Sequence, residues 1–175
     1  MSLSPYASEL GVSKAKHLLR RGCFHYNKTL LYQISSLNVD QALDLLFSDN
    51  TISYAQPYDP LPTDSPHGYW LESTEYPPDM PNQGRKRGLL SQWWFYNMVN
   101  RNNIKDKLLF FLHTTFTISS GDIGASHYLY DHLRLLQYFS LGNLKELAKK
   151  ITLDNAMLNY LDNTQNNANN PNENY

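Results

Sequence analysis

The 175-residue chain has a single cysteine, Cys23, so no internal disulfide can brace it, and its thiol usage is compatible with a reducing compartment. It has no excess of either charge. With 15 basic and 16 acidic residues, a net charge of -1 and a pI near 6.6, it lacks the electrostatic footprint of a nucleic-acid partner. It also lacks any apolar run near the roughly 20 residues that a membrane span needs. The opening MSLSPYASELGVSKAKHLLRR has no apolar stretch of signal-peptide length, which reads as a soluble chain, cytoplasmic by default. No Gly-x-Ser-x-Gly elbow, phosphate loop, His-Glu-x-x-His or cysteine pair occurs. An enzymatic claim therefore has no motif behind it, and neither a cofactor nor a metal is implied. Internal repeats, hairpin dipeptides and useful lengths of alternating strand pattern are missing as well.

What is present is helical periodicity. A chain of this size buries about 70% of its unfolded surface, enough for an unaided core. Aromatic residues make up 13% of it, 13 of them tyrosine, which predicts a core finished with amphipathic rings whose hydroxyls need partners. Ser13 to Arg21 reads as a helix behind a Ser13 cap that Gly22 can end; Asn27 opens a second, and Asn38 with Gln41 forms a capping box for a third. Leu89 to Val99 is apolar on nearly every side, which predicts a helix that is buried or covers an interface. Asn103 caps a central helix from Ile104 to about Ile118, with Ile104, Leu108, Leu112 and Phe116 in one stripe that Leu109, Phe110 and Phe111 broaden. The next runs from about Ala125 to Leu141, with Leu129, Leu133 and Leu136 inward and His127, Asp131 and Arg134 on a more polar side. Asn143 and Glu146 form another capping box, and Asp154 caps the last helix. The fold class expected is all-α, an irregular bundle of about seven or eight helices in one domain.

Residues 49 to 84 break that pattern. Seven of the nine prolines lie there, and repeated X-Pro steps exclude a continuous helix. Asp49, Asp59, Asp64, Glu72, Glu75 and Asp79 face no Lys or Arg within the stretch, yet Tyr54, Tyr58, Tyr69, Trp70 and Tyr76 are too many rings for a plain linker. The expectation is a strap whose aromatics pack on the helices and whose carboxylates stay wet; a lid over a cleft is the functional alternative. Arg85, Lys86 and Arg87 follow at a helix start, where the dipole disfavours cations unless an acidic partner, which the strap could supply, lies near. A solvated cluster is the plainer expectation. The core is expected in residues 85 to 162. From Asn163 onward seven of thirteen residues are asparagine, a composition expected to be mobile on its own.

Several phrases carry a family resemblance: HLLRR at 17 to 21, IKDKLLFFLHTTF at 104 to 116, LRLLQYFSLGNLKELAKKI at 133 to 151, DNAMLNYLDN at 154 to 163 and PNENY at 171 to 175. Together and in this order they resemble the bacterial family catalogued as domain of unknown function 1800. The resemblance implies a helical core that continues past the Asn-Glu-Asn-Tyr phrase into an Ala-Arg-Glu-Leu helix and a long further region, so that these residues form an N-terminal portion. It implies no activity. Its members are often encoded beside a sulfatase-like protein, which suggests an envelope role by association alone. Where the family usually reads Trp-His-Asn-His-Phe, this chain has Leu112, His113, Thr114, Thr115 and Phe116, so only the first histidine is kept. Phe24 is followed by His25 where the family commonly has glycine.

Two functional expectations follow. The first is a non-catalytic interaction or structural module that binds its own C-terminal region or a protein partner through apolar faces around Trp93, Trp94 and Leu158. The second is the front of a hydrolase-like enzyme joining His113 to Glu173, with Asn172, Asn174 and Tyr175 beside it at a helix entry. His113 suits a shielded base or ligand, or a packed histidine tied to a backbone carbonyl; Glu173 suits a site or a helix cap. His127 and Asp131, at i and i+4, read as a surface charge pair rather than half of a zinc site. His17 reads as a packed side chain, and His67 has no visible partner.

Overall fold

The computed structural model describes residues 6–48, 55–61, 68–72, 82–169 and 171–172. Among them the regular structure is all-α, as the periodicity predicts: α1 (Gly11–Gly22), α2 (Lys28–Ser35), α3 (Val39–Phe47), α4 (Gln83–Asn100), α5 (Lys105–Thr115), α6 (Ser126–Tyr138), α7 (Leu144–Ile151) and α8 (Asn155–Tyr160). Short 3-10 turns form at Trp70–Glu72 and Asn163–Gln165. No helix among the described residues is long and apolar enough to cross a membrane.

The chain divides into two compact units, Met1–Ser53 with Tyr96–Leu108, and Tyr54–Phe95 with Leu109–Tyr175. In the first, α1, α2 and α3 close an apolar cluster of Leu10, Ala15, Leu19, Cys23, Ile34, Ala42 and Leu46. Asn27 accepts from the Leu30 amide at 2.8 Å, and Asn38 and Gln41 exchange both bonds of the expected capping box. Helix α1, by contrast, begins at Gly11 rather than behind Ser13. Its N-cap is Leu10, which makes no side-chain cap bond and whose amide instead donates to the Leu37 carbonyl, so the turn is held from α3's approach and Ser13 is left exposed within the helix. At the entry to α5, Asn103 accepts from the Asp106 amide and donates to its carboxylate, both at 2.9 Å, which explains why Asp106 tolerates burial.

The second unit surrounds α6, whose Leu129, Leu133 and Leu136 pack with Trp70, Leu90, Leu109, Leu112, Leu147, Ile151 and Met157. The broad stripe expected on α5 is narrower. Leu109 and Leu112 are buried, but Phe110 is 42% and Phe111 62% exposed, because on a 3.6-residue period the two lie a full side away from the core positions. The second expected capping box is also incomplete: Asn143 accepts from the Lys145 and Glu146 amides, while Glu146 turns outward to pair with Lys149 at 2.8 Å.

Of the 49 to 84 stretch, the described residues are fixed to α4. The Trp93 indole donates to the Ala55 carbonyl at 2.6 Å, and Asp59 and Gly68 exchange backbone bonds at 2.9 Å. Asp59 does not stay wet. It is fully buried and both its oxygens accept from Arg85, at 2.7 and 2.6 Å, while its Oδ1 also takes the Leu61 amide. Burial alone would push this carboxyl up; the Arg85 hydrogen bond, the Leu61 amide and the Arg85 and Lys86 charges outweigh it and hold the group below the usual carboxylate value. The basic run is accordingly no solvated cluster. Lys86 is fully buried with its ammonium 5.9 Å from the Trp70 ring centre, and Arg87 donates to the Gly124 carbonyl. Asp49, Asp64, Glu75, Asp79, Tyr54, Tyr76 and His67 lie outside the described residues.

Candidate functional site

Helices α4, α5 and α6 and the entry to α8 bring four polar side chains together within the second unit. On α6 the buried positions 129, 132, 133 and 136 follow the i, i+3, i+4, i+7 pattern of a core stripe, and the second of them is a histidine. His132 is therefore carried into the interior by the leucines around it, with no exposed surface. Its Nδ1 lies 2.9 Å from Asp154 Oδ2, and the same oxygen accepts from the Met157 amide at 2.9 Å. Asp154 thus caps α8, as its position before the helix predicts, and answers the buried ring as well. A carboxylate can only accept, so Nδ1 carries the proton and, in the neutral ring, Nε2 is left as an acceptor.

Next to His132 stands His113, their ring centres 5.7 Å apart and the planes 68° from parallel. Trp94 follows, edge to face with His113 at 4.9 Å and 88°. Burial first, and the neighbouring His132 second, hold His113 down at about 4, so at neutral pH it is an uncharged imidazole. Trp94 Nε1, His113 Nδ1 and His132 Nε2 are all buried and without a hydrogen-bond partner among the described residues. Three consecutive rings thus each carry one unanswered polar atom: a donor on the indole, an acceptor on His132 and, on His113, whichever its tautomer dictates. No group of three or more His, Cys, Asp or Glu among the described residues is placed to hold a metal ion.

The chain matches the family model described as "Protein of unknown function (DUF1800)" over residues 17–175, nearly its whole length. The chain belongs to this family. No curated protein and no solved structure matches it. Membership in DUF1800 carries no activity with it, so the chemistry has to be read from the residues.

Of the expected site residues, His113 is half-buried in this cluster, while Glu173, Asn174 and Tyr175 lie outside the described residues. Asn172 donates from its side chain to the Leu161 carbonyl and from its amide to Asn166 Oδ1 at 2.9 Å, which ties the arm to the end of α8. Trp93 and Trp94 are half-buried against the core: Trp93 packs on Tyr130 at 5.6 Å, Trp94 on Phe110 at 6.2 Å. His127 lies half-buried against Tyr128 at 4.4 Å, and burial pushes it down; desolvation and the Asp154 charge push Asp131 up. His17 is exposed on α1. Sequence reasoning missed His132 and read Asp154 as a cap alone. The signal for His132 was a histidine at a leucine position of a core stripe; the 22-residue gap to Asp154 gave no local sign of their pairing.

A second feature of the same unit is apolar. A groove of about 350 Å³ is lined by Thr115, Phe116, Thr117, Ile151, Thr152, Met157 and Leu161. Phe111, one helical turn before the lining residue Thr115, is 62% exposed, and Leu153, next in sequence to the lining residue Thr152, is 73% exposed.

Proposed function

We propose that this DUF1800 chain is a protein-interaction module whose second unit receives the apolar face of a helix in the groove beside Phe111. The observation that carries this reading is the apolar lining of the groove, Phe116, Ile151, Met157 and Leu161, with exposed Phe111 and Leu153 a helical turn and one residue from lining positions. Apolar surface gathered at a groove, rather than scattered singly, is the kind that marks a docking site. An amphipathic helix laid in a groove uses such anchors at i, i+3, i+4 and i+7 spacing.

The occupant we favour is the polypeptide's own C-terminal region, the part that the family resemblance places after the Asn-Glu-Asn-Tyr phrase. The Asn172 side chain donates to the carbonyl of Leu161, which lines the groove, and this supports an occupant that continues from it. The test is to express that region separately and measure its binding to the 175-residue chain by calorimetry. Saturable binding that Phe111→Glu weakens at least ten-fold supports the proposal. No binding, or binding indifferent to Phe111→Glu and Leu153→Glu, sinks it.

A further inference from the structure

Beyond the docking groove, and independently of it, the rings of the second unit carry a polar site. His132 is fully buried, held by Asp154 through Nδ1, and turns an unanswered Nε2 acceptor into the interior. Such an atom normally has a partner, because leaving it desolvated costs about 1–3 kcal/mol. Two other unanswered polar atoms lie on the rings that follow it, His113 Nδ1 and Trp94 Nε1. Direct bonds among the three are not made, and the ring centres stand 5.7 and 4.9 Å apart. One small guest between neighbouring rings can serve more than one of them, and a buried water typically makes about three hydrogen bonds.

We propose that Trp94, His113 and His132, with Asp154 behind His132, form a buried binding site for a single water molecule whose proton is donated to His132 Nε2. The components have distinct parts. Asp154 fixes the ring so that Nε2, not Nδ1, faces the guest without a proton. The indole N–H of Trp94 supplies a donor to the guest's oxygen, and His113, neutral, completes the set without adding charge. A carboxylate behind an imidazole in front of a hydroxylic guest is the arrangement in which a general base holds its proton donor. Asp154 is here a positioning residue, and its capping bond to the Met157 amide gives it a second, structural duty.

The experiment is nitrogen-15 NMR on the intact 175-residue chain, with labelled histidine and tryptophan. The expected result is a His132 ring protonated at Nδ1, with Nε2 shifted from the free-acceptor position as a hydrogen-bonded lone pair, and cross-relaxation between a long-lived water and the Trp94 indole proton. His113→Leu abolishes the water signal at Trp94, whereas His113→Asn, which retains polar atoms at the site, keeps it. Asp154→Asn, which can still cap α8, mixes the His132 tautomers while leaving the helical circular dichroism unchanged. A His132 ring protonated at Nε2, whether as the other tautomer or as an imidazolium, overturns the proposal, as does a folded wild-type chain with no water signal at Trp94. Should His113→Leu prove unfolded, the wild-type tautomer and water signal still decide the matter.

Discussion

The apolar cluster of the first unit, Leu10, Ala15, Leu19, Cys23, Ile34, Ala42 and Leu46, contains no charged or hydrogen-bonding side chain beyond a thiol. Around the cluster of the second unit, Asp59, Lys86, Ser126, His132, Ser140 and Asp154 are buried as well, whereas the buried polar residues described in the first unit are two, Asn97 and Asp106, both in its 96–108 segment. In the first unit Ala15, Leu19, Ile34, Ala42 and Leu46 follow from helical period, Leu10 and Cys23 flank α1, and the Cys23 thiol, pushed up to about 11 chiefly by burial, behaves as one more small hydrophobe. In the second, several buried polar groups have direct answers. Arg85 answers Asp59, the Trp70 indole donates to Ser126 at 3.2 Å, and Asp154 is held by Met157 and His132. Gln56 Oε1 and Gln83 Nε2 are also buried without a partner in this unit, and what marks the ring atoms of Trp94, His113 and His132 is that they lie on three neighbouring rings.

The second unit depends more on single large residues than the first. Trp70 is 1% exposed and serves three contacts at once, with the core leucines, the Lys86 ammonium and Ser126. Trp70→Ala should cost about 4 kcal/mol, the range for deleting a buried aromatic, whereas Leu19→Ala in the first unit should cost about 3 kcal/mol. Urea unfolding followed by circular dichroism measures both. Equal losses would mean that the polar contacts around Trp70 contribute little.

Next in size is the pair that ties the 55–61 segment to α4. Asp59→Ala leaves Arg85 without its carboxylate and should cost about 3 kcal/mol, the lower end for breaking a buried pair, because the Arg85 side chain is 31% exposed. Asp59→Asn, which keeps the acceptor for the Leu61 amide, should recover part of this. Limited proteolysis between residues 55 and 72 should accelerate in the alanine variant; unchanged cleavage would show that Trp70 and Trp93 hold the segment without it.

Acid should separate the units as well. His113 has a folded-state value of about 4 against 6.5 when unfolded, so between those values the unfolded chain binds the extra proton. Stability contributed by this ring is complete above pH 6.5 and is lost as pH falls toward 4, by about 2 kcal/mol once its partial exposure is allowed for. The groups it faces are Trp94 and His132, with Asp154 behind the latter; His127, also pushed down by burial, adds a loss of the same sign. His113→Leu should flatten the slope of melting temperature against pH in that window. An unchanged slope would assign the acid loss to other groups.

How much of this was legible follows the same division. The caps at Asn27, Asn38 and Asp154 and the inward leucines of α6 could be read because each signal lies within a few residues of its consequence. The exposure of Phe110 and Phe111 could not, since hydrophobicity says that a ring is suited to burial and not that a neighbour is present to bury it. The Asp59–Arg85 pair, 26 residues apart, was foreseeable only as an acidic stretch that could serve a basic one. His132 and Asp154 were hidden for a different reason. Periodicity places a residue on a face without saying which helix it meets, and the site consists of meetings between α4, α5, α6 and α8.

The smallest effect sharpens the contrast because it should be absent from it. Asn38 at the start of α3 and Asn143 at the start of α7 do the same work in different units: each offers one side-chain oxygen to amides of the first helical turn, at 2.9 Å to Gln41 in one case and at 2.9 and 3.2 Å to Lys145 and Glu146 in the other. Both are surface caps, so neither draws on the polar interior of its unit. Asn38→Ala and Asn143→Ala should each cost about 1 kcal/mol, the ordinary value of an N-cap, with Asn38 slightly dearer because Gln41 also returns a bond to its amide at 3.2 Å. Parallel denaturation of the two variants checks this. A clearly larger loss at Asn143 would mean that α7, through buried Leu147 and Ile151, transmits the entry of its helix to the core of the second unit, and the two units would then differ in how tightly surface and interior are coupled, as well as in what their cores contain.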